Sequence, residues 1–431
     1  MAYLLSPAAA VVVATFLLLV VPSVYGLIPH TDFTFRRRFV PARTSVLLHS
    51  APATPDYEGR LPSDLSPASG ENVEGEGSST FVRPFRCGFS AIVGLPNAGK
   101  STLLNALLSL RLSSTSRLPQ TTRHAILGAV TSSEHATQIL FLDTPGIIAD
   151  PAYVLQEGMV NSVLRGMKGA DVAILVTDVY GSDLPGTEWI EKLTIMGDRV
   201  VVVINKVDLV HDADAHDAEN VLPLPILVQK WRALLPDCRA ILPISAAAGS
   251  VDADPGLCAL SDLLLASPSL SSSLRNIGRP LPGTYADPDA LYIGVEDVLD
   301  FLPEGPPLYP EDTLTDRSER FVASEMVREG IFECLGAEVP YCCEARVLAF
   351  QMKRDKEGKN RIDVEAVIFV ERESQVAIVV GKKGSMIKKV GIEARKLMED
   401  FFECQIYLDL RVKVDKGWRK NENRLKDFGY M

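Results

Sequence analysis

Gly94-Leu95-Pro96-Asn97-Ala98-Gly99-Lys100-Ser101 decides the fold of this 431-residue chain. The apolar run Ser90–Val93 before it reads as a buried strand, and Thr102–Leu108 after it reads as a helix. Strand, Gly-rich loop and helix in that order are the setting of a phosphate-binding loop. Such a loop turns backbone N–H groups toward phosphate oxygens, and the helix N-terminus adds its positive dipole end. Gly94, Asn97, Ala98, Gly99, Lys100, Ser101 and Thr102 are the residues expected around the phosphates. Lys100 would reach the β and γ phosphates, and the Ser101 hydroxyl would ligate Mg²⁺.

Four further elements follow in order. Thr121 and Thr122 lie in the polar stretch Leu118–His124, where a Thr can meet the ion and the γ-phosphate. Asp143-Thr144-Pro145-Gly146 ends an apolar run; Asp143 would hold the Mg²⁺ shell and the Gly146 N–H would sense the γ-phosphate. Asn205-Lys206-Val207-Asp208 ends the next but one. The Asp208 carboxylate can accept from both N1–H and the exocyclic amine of guanine, a pair that adenine does not offer, so this element selects GTP and GDP over adenine nucleotides. Ser245-Ala246-Ala247 would place a backbone N–H on guanine O6. Three of the four sit at C-terminal strand ends, where open α/β sheets bind ligands. The expected catalytic set is Lys100, Thr122 and Gly146, and the expected Mg²⁺ set is Ser101, Thr122 and Asp143.

Strands are expected at Phe89–Val93, Ala125–Val130, Gln138–Leu142, Val172–Thr177, Val200–Asn205 and Ala240–Ile244, alternating with helical stretches. That alternation implies an α/β domain over residues 85–303: a mostly parallel sheet with helices on both faces. Residues 250–290 are rich in Pro, Ser and Gly, hold one short helical run, Leu257–Ala266, and read as a surface insertion. Gly294–Leu302 reads as the domain's last helix and Pro303–Pro310 as a linker.

Residues 304–431 have the pattern of a small α+β domain. Ala323, Val327, Ile331 and Leu335 mark one helix face; Ile387, Val390, Ala394, Leu397 and Phe401 mark another. Ile362–Val370 and Ile406–Val414 alternate as strands. Between them lies Gly381-Lys382-Lys383-Gly384, which in this setting reads as the loop of a KH domain clamping nucleic-acid phosphates. Lys388, Lys389 and Arg395 continue the basic surface, and the tail Lys413–Tyr430 interleaves Lys416, Trp418, Arg419, Lys420 and Arg424. Periodicity alone makes Val376–Val380 a strand; the KH pattern makes it a short helix, and that is the reading adopted.

The net charge of −11 argues against non-specific polyanion binding, yet from Gly381 onward 13 Lys/Arg face 8 Asp/Glu. Seven scattered cysteines without a CxxC pair suit free thiols in a reducing compartment. Residues 1–50 read as a cleaved presequence: a signal-like segment to about residue 26 with apolar Ala8–Val21, then an Arg-bearing, acid-poor, transit-like segment. This two-part form resembles plastid presequences of secondary endosymbiosis, with a mitochondrial or membrane-anchored protein as the alternative. Residues 51–84 read as a disordered linker.

Taken together, Gly94–Ser101, Gln120–His124, Asp143–Gly146, Asn205–Asp208, Thr315–Phe321, Glu338–Tyr341, Gly381–Gly384, Gly391–Lys396 and Val412–Val414 with Gly417-Trp418 closely resemble the Era GTPase family. The resemblance implies a P-loop GTPase domain joined to a type II KH domain. It implies binding to the 3′ end of small-subunit ribosomal RNA and assistance in maturing the small ribosomal subunit, here of an organelle and most simply a plastid. A monomer without a stable membrane partner after processing is expected. Ile147 and Ile148 stand where Ras-like proteins carry a water-positioning Gln, so hydrolysis should be slow without a partner or cation. In related apolar-substituted GTPases a K⁺ held partly by the loop Asn assists; Asn97 matches that Asn. The competing readings are an RNA chaperone with negligible turnover and a membrane-associated regulatory GTPase.

Overall fold

The computed structural model describes residues 84–116, 118–210, 221–265, 301–336, 338–354 and 360–430, with the backbone of Tyr292–Ile293. The presequence, nearly all of the 51–84 linker, residues 266–290 of the expected insertion and most of the expected Gly294–Leu302 helix lie outside the described residues.

The first sheet uses β1 (Arg86–Gly94), β2 (Ile126–Ser132), β3 (Thr137–Asp143), β4 (Val172–Asp178), β5 (Val200–Asn205), β6 (Ala240–Pro243) and β7 (Tyr292–Ile293). Their order is β2-β3-β1-β4-β5-β6-β7. Strands β3, β1, β4, β5 and β6 run parallel; β2 and β7 are antiparallel edges. Central strands covered on both faces need apolar side chains throughout rather than alternation. Val200–Ile204 meets that demand, every residue being buried. The helices here are α1 (Lys100–Leu108), α2 (Val154–Gly169), α3 (Thr187–Met196), α4 (Leu224–Leu234) and α5 (Pro255–Leu264).

Helix α5 corrects the reading of residues 250–265 as part of a surface insertion. Val251, Leu257, Leu260, Leu263 and Leu264 are buried, and α5 packs on β6 and α1. Pro255 is at the first helical position, where its missing N–H costs nothing, and Asp254 caps the helix by accepting from Leu257 N at 2.9 Å. The Pro that suggested a loop is thus a helix start.

Residues 303–314 are strapped to the edge of this first domain. Glu304 bridges Arg86, Leu308 and Tyr309 N–H groups donate to Gln138 Oε1 (2.8 and 3.0 Å), and Ala129 N–H donates to Leu314 O (2.8 Å). The expected linker Pro303–Pro310 is therefore bound along its length.

The second domain contains α6 (Glu319–Cys334), β8 (Glu344–Arg354), β9 (Asn360–Val370), α7 (Glu373–Val380), α8 (Ser385–Phe402), β10 (Gln405–Val414) and α9 (Glu422–Asp427). Its sheet runs β10-β9-β8, with β10 parallel and β8 antiparallel to β9. Helix α6 packs against α8 and β8 through Ala323, Val327 and Ile331, all 0% exposed. Its other face is also buried although it carries Glu325, Arg328 and Glu329, because that face meets the first domain. Residues 373–380 are helical, as the KH pattern requires; the Gln375 side chain caps the turn by accepting from Arg372 N–H at 2.9 Å. No helix among the described residues is long and apolar enough to cross a membrane, and none of the seven cysteines forms a disulfide.

Candidate nucleotide site and nucleic-acid face

A cavity of about 760 Å³ opens at the C-terminal strand ends. Asn97, Gly99, Lys100, Ser101, Thr102, Thr121, Thr122, Gly146, Asn205, Lys206, Asp208 and Ala247 line it. Residues up to 151 positions apart on the chain thus converge, from Pro96 in the phosphate loop to Ala247 after β6. Gly94, Ala98, Asp143, Ser245 and Ala246 stand just behind the lining. Gly94 O accepts from Ile147 N–H (3.0 Å), joining the phosphate loop to the 143–146 turn. Asn205 spends its whole carboxamide on architecture: Nδ2 donates to Ala98 O (2.9 Å) and Oδ1 accepts from Ala246 N–H (3.0 Å). It ties the phosphate loop to the 245–247 turn. Ser245 Oγ donates to Asp208 Oδ1 at 2.6 Å, orienting that carboxylate.

Lys206 has φ +65°, a left-handed conformation that costs a non-glycine residue on the order of 1 kcal/mol. Its Nζ is held by Asp178 Oδ2 at 2.8 Å and lies 5.2 Å from the Tyr180 ring centroid. Tyr180 and Leu209 also line the base end of the cavity, and neither carries a motif by which sequence reasoning could have found them. Gly146 is in close approach: a Cβ there would lie 2.7–2.8 Å from Pro96 atoms. Any side chain at 146 would wedge the turn away from the phosphate loop.

The Lys100 Nζ donates to Leu95 O at 2.7 Å. Burial pulls its ammonium down to about 8, with Asp143 acting against the fall. Burial also raises the Asp143 carboxyl, against Ser101, Lys100 and Ser113. Ser101 Oγ lies 2.7 Å from both Thr122 Oγ1 and Asp143 Oδ2. The remaining oxygen, Asp143 Oδ1, is buried without a hydrogen-bond partner. One orphaned carboxylate oxygen beside two hydroxyls suits Mg²⁺, which takes few protein oxygens and keeps waters and phosphate for the rest. Among the described residues no cluster of three His, Cys, Asp or Glu could hold a metal by itself.

The residues after Thr122 cross to the second domain. The Arg123 guanidinium is buried; Nη1 donates to Cys343 O (2.9 Å) and Glu344 Oε2 (3.1 Å), Nη2 to Pro340 O (3.1 Å) and Tyr341 O (3.3 Å). The His124 ring stacks on Tyr430 at 4.1 Å and meets Phe321 edge-on at 5.2 Å. Tyr430 Oη donates to the same Glu344 Oε2 at 2.6 Å. Burial, then Arg328, Arg317 and Arg123, hold the His124 imidazole well below its ordinary range, so it stays neutral. Upstream, Ser114 Oγ donates to Glu325 O (3.1 Å) and Thr115 N–H to Glu329 Oε1 (3.1 Å). The loop from Arg111 to His124 is therefore held by α6, the 340–344 turn and the C-terminus. Arg123 and His124 stood in the expected motif without a role, because their partners lie some 200 residues or more downstream.

On the second domain, Gly381–Gly384 joins α7 to α8, with Lys382 and Lys383 exposed. Lys388, Lys389 and Arg395 are exposed along α8, and Ile392 lies between Lys388 and Arg395 on one helical stripe. The tail differs from its expectation as a basic nucleic-acid surface. Trp418, Leu425 and Tyr430 are buried against Leu155 and Met159 of α2. Arg419 pairs with Glu371, and Arg424 with Asp415 and Asp427. Apolar residues interleaved with the basic ones serve a packed clamp here, and Lys416 and Lys420 stay exposed.

A cavity lined by a phosphate loop on a mostly parallel sheet, followed by a small βααβ-containing domain with a GxxG loop, defines a P-loop GTPase with a KH domain. Residues 89–206 match the family described as 50S ribosome-binding GTPase, and residues 341–419 match the KH domain family. GTPase Era of Xylella fastidiosa (strain M12) is 36% identical over 358 residues, covering 81% of this chain and 99% of that protein. GTPase Era of Marinobacter nauticus is 37% identical over 344 residues, covering 80% and 95%. A crystal structure of an Aquifex aeolicus Era variant bound to GDP and AlF4⁻ superposes with TM-score 0.60 at 32% identity, covering 80% of this chain and 99% of that one. An Era complexed with MgGDPNP and nucleotides 1506–1542 of 16S ribosomal RNA superposes with TM-score 0.61 at 31% identity, with the same coverage. The chain belongs to the Era GTPase family, and it is a GTPase.

Proposed function

We propose that this GTPase binds the 3′ end of small-subunit ribosomal RNA through its KH domain and assists maturation of an organellar small ribosomal subunit. The observation that carries this reading is Arg123: one residue from Thr122 at the nucleotide, its guanidinium is spent entirely on the KH domain. The related Era bound to 16S rRNA supports the choice of RNA.

Ser101, Thr122 and Asp143 would hold Mg²⁺, which would supply positive charge against the phosphates when bound. Lys100 would place its charge on the β and γ phosphates; their negative charge favours its ammonium form against burial. The N–H groups of the phosphate loop, with Gly146, would surround the γ-phosphate. Ile147 is 2% exposed and packs in the core beneath the sheet. It cannot orient water, so hydrolysis rests on positioning and electrostatics, with Asn97 as the side chain that would assist a K⁺. Asp208, oriented by Ser245, would read guanine.

Triphosphate would fix Thr122, and Arg123 would carry that order to the 340–344 turn and α6. RNA affinity is then expected to differ between GDP and a non-hydrolysable GTP analogue. Titrating 3′-terminal small-subunit rRNA with each, at one stated salt concentration, tests this. Equal affinities would end the coupling, since a ligand without differential affinity shifts no equilibrium. The plastid address rests on the composition of residues 1–50 and is tested by following a fluorescent fusion of that segment; retention in the secretory membranes would overturn it.

A further inference from the structure

Asn105, on α1, spends its carboxamide on one short turn. Its Oδ1 accepts from the N–H groups of Leu112 and Ser113 (both 2.9 Å), and its Nδ2 donates to Ser113 O (2.8 Å). Three hydrogen bonds thus fix both the peptide and the direction of Ser113. The Ser113 side chain is 1% exposed, and its Oγ donates to Asp143 Oδ2 at 2.7 Å. A buried serine held this completely, with its hydroxyl aimed at one carboxylate oxygen, has a single task.

We propose that Ser113, fixed by Asn105, is a positioning residue for the metal carboxylate of the nucleotide site. It anchors Oδ2 of Asp143 and so leaves Oδ1, buried and without a hydrogen-bond partner, for the ion. Ser101 also donates to Oδ2, but Ser101 belongs to the ion's own set; Ser113 reaches only the carboxylate. Hydrogen bonds to a ligating carboxylate hold its orientation, and their loss lowers metal affinity about 10–100-fold. The inference rests on the reading of Asp143 as the Mg²⁺ carboxylate.

The assignment has a second consequence. Ser113 belongs to the loop that runs on to Thr122, and that loop is tied outward to α6 by Arg111, Ser114 and Thr115. One residue of the loop therefore faces the ion's carboxylate while its neighbours face the KH domain. Metal affinity and KH contact are carried by separate side chains of one segment.

The test is the release rate of a fluorescent GDP from the full-length protein as a function of free Mg²⁺, with the rate in EDTA as reference. Wild type should release more slowly as Mg²⁺ rises. Ser113→Ala should move the Mg²⁺ midpoint about tenfold upward while leaving the EDTA rate unchanged. Asn105→Asp, which keeps the acceptor and loses the donor to Ser113 O, should move it in the same direction and serves if Ser113→Ala does not fold. The double variant should shift no further than Ser113→Ala, because both act through one bond. Arg111→Ala, which removes one of the loop's ties to Glu329 and leaves that of Thr115, without touching Asp143, should leave the midpoint in place. An unmoved midpoint in Ser113→Ala and Asn105→Asp overturns the proposal. So does an equal shift in Arg111→Ala, or acceleration in EDTA, since either makes Ser113 a loop anchor only. A wild type whose release ignores Mg²⁺ overturns instead the reading of Asp143.

Discussion

The second domain has two basic stretches, and their cations have opposite fates. Lys382, Lys383, Lys388, Lys389 and Arg395 project from the GxxG loop and α8; among the described residues Arg395 alone of these has a carboxylate within 4.0 Å, that of Glu399 at 3.9 Å. In the tail, Arg419 and Arg424 are each paired with acidic side chains, and Trp418, Leu425 and Tyr430 around them are buried. Similar charge density therefore yields a free cationic face in one place and an interdomain clamp in the other. What separates them is the apolar spacing. Trp418, Leu425 and Tyr430 form an apolar stripe that had to find cover, and α2 supplied it.

The largest expected effect tests the clamp. Trp418→Ala removes a fully buried indole and its hydrogen bond to Cys342 O (3.1 Å), and should cost about 3–5 kcal/mol of stability by denaturant titration. A loss below about 1 kcal/mol would mean that the tail merely rests on α2.

A third kind of cation sharpens the contrast. Lys100 is buried with no carboxylate in contact, and its folded-state value is about 8 against an ordinary 10.5. Below pH 8 both folded and unfolded chains hold the proton, and the burial cost is fully present. Between pH 8 and 10.5 the unfolded chain holds more protons, so stability rises with pH in that window. Without nucleotide, wild type should gain on the order of 3 kcal/mol relative to Lys100→Met across it. The relative gain should vanish when nucleotide is bound, and equal pH curves in the unliganded proteins would contradict the assignment.

The free face is tested next. The double substitution Lys382→Ala and Lys383→Ala should weaken RNA binding by roughly a hundredfold and lower the salt slope by about two, one per lost phosphate contact. GTP hydrolysis should be unaffected. Arg424→Ala is the paired comparison and should leave the salt slope unchanged. Gly384→Asp should act like the lysine pair, because Gly384 has φ +76° and the carboxylate adds repulsion. RNA binding that falls with Arg424 and not with Lys382 and Lys383 would reverse the comparison.

The smallest effect probes the clamp's end. Tyr430→Phe keeps the stack on His124 and loses the hydrogen bond to Glu344, for about 1 kcal/mol. Hydrogen exchange in residues 111–124 should speed slightly, and no change there would detach the C-terminus from that loop.

Much of the nucleotide site was legible because its parts are short, local and placed by strand ends. Gly94–Ser101, Asp143–Gly146 and Asn205–Asp208 each announce a turn directly after an apolar run. The positions of β1 to β6, β9 and β10 were legible to within a few residues for the same reason, since β5 is a continuous β-branched run, whereas β7 and β8 were not expected from the sequence. The helical run at α5 was legible, but not its burial or its start, because its capping Asp254 and first-turn Pro255 resemble loop residues when the partner strand is unknown. Tyr180 and Ser113 had no signal: a tyrosine and a serine beside other polar residues acquire a role only from what folding sets against them.

The sequence by itself determined the nucleotide class, the family and the two-domain order, since those depend on residue types at fixed local spacing. The tertiary structure alone decided which cations are free, which glutamates lie beneath the 111–124 loop, and that Arg123 binds residues 217 to 221 positions away. Such partnerships follow from which surfaces need cover and which buried charges need neutralising. Both are properties of the packed chain, and no local window of sequence contains them.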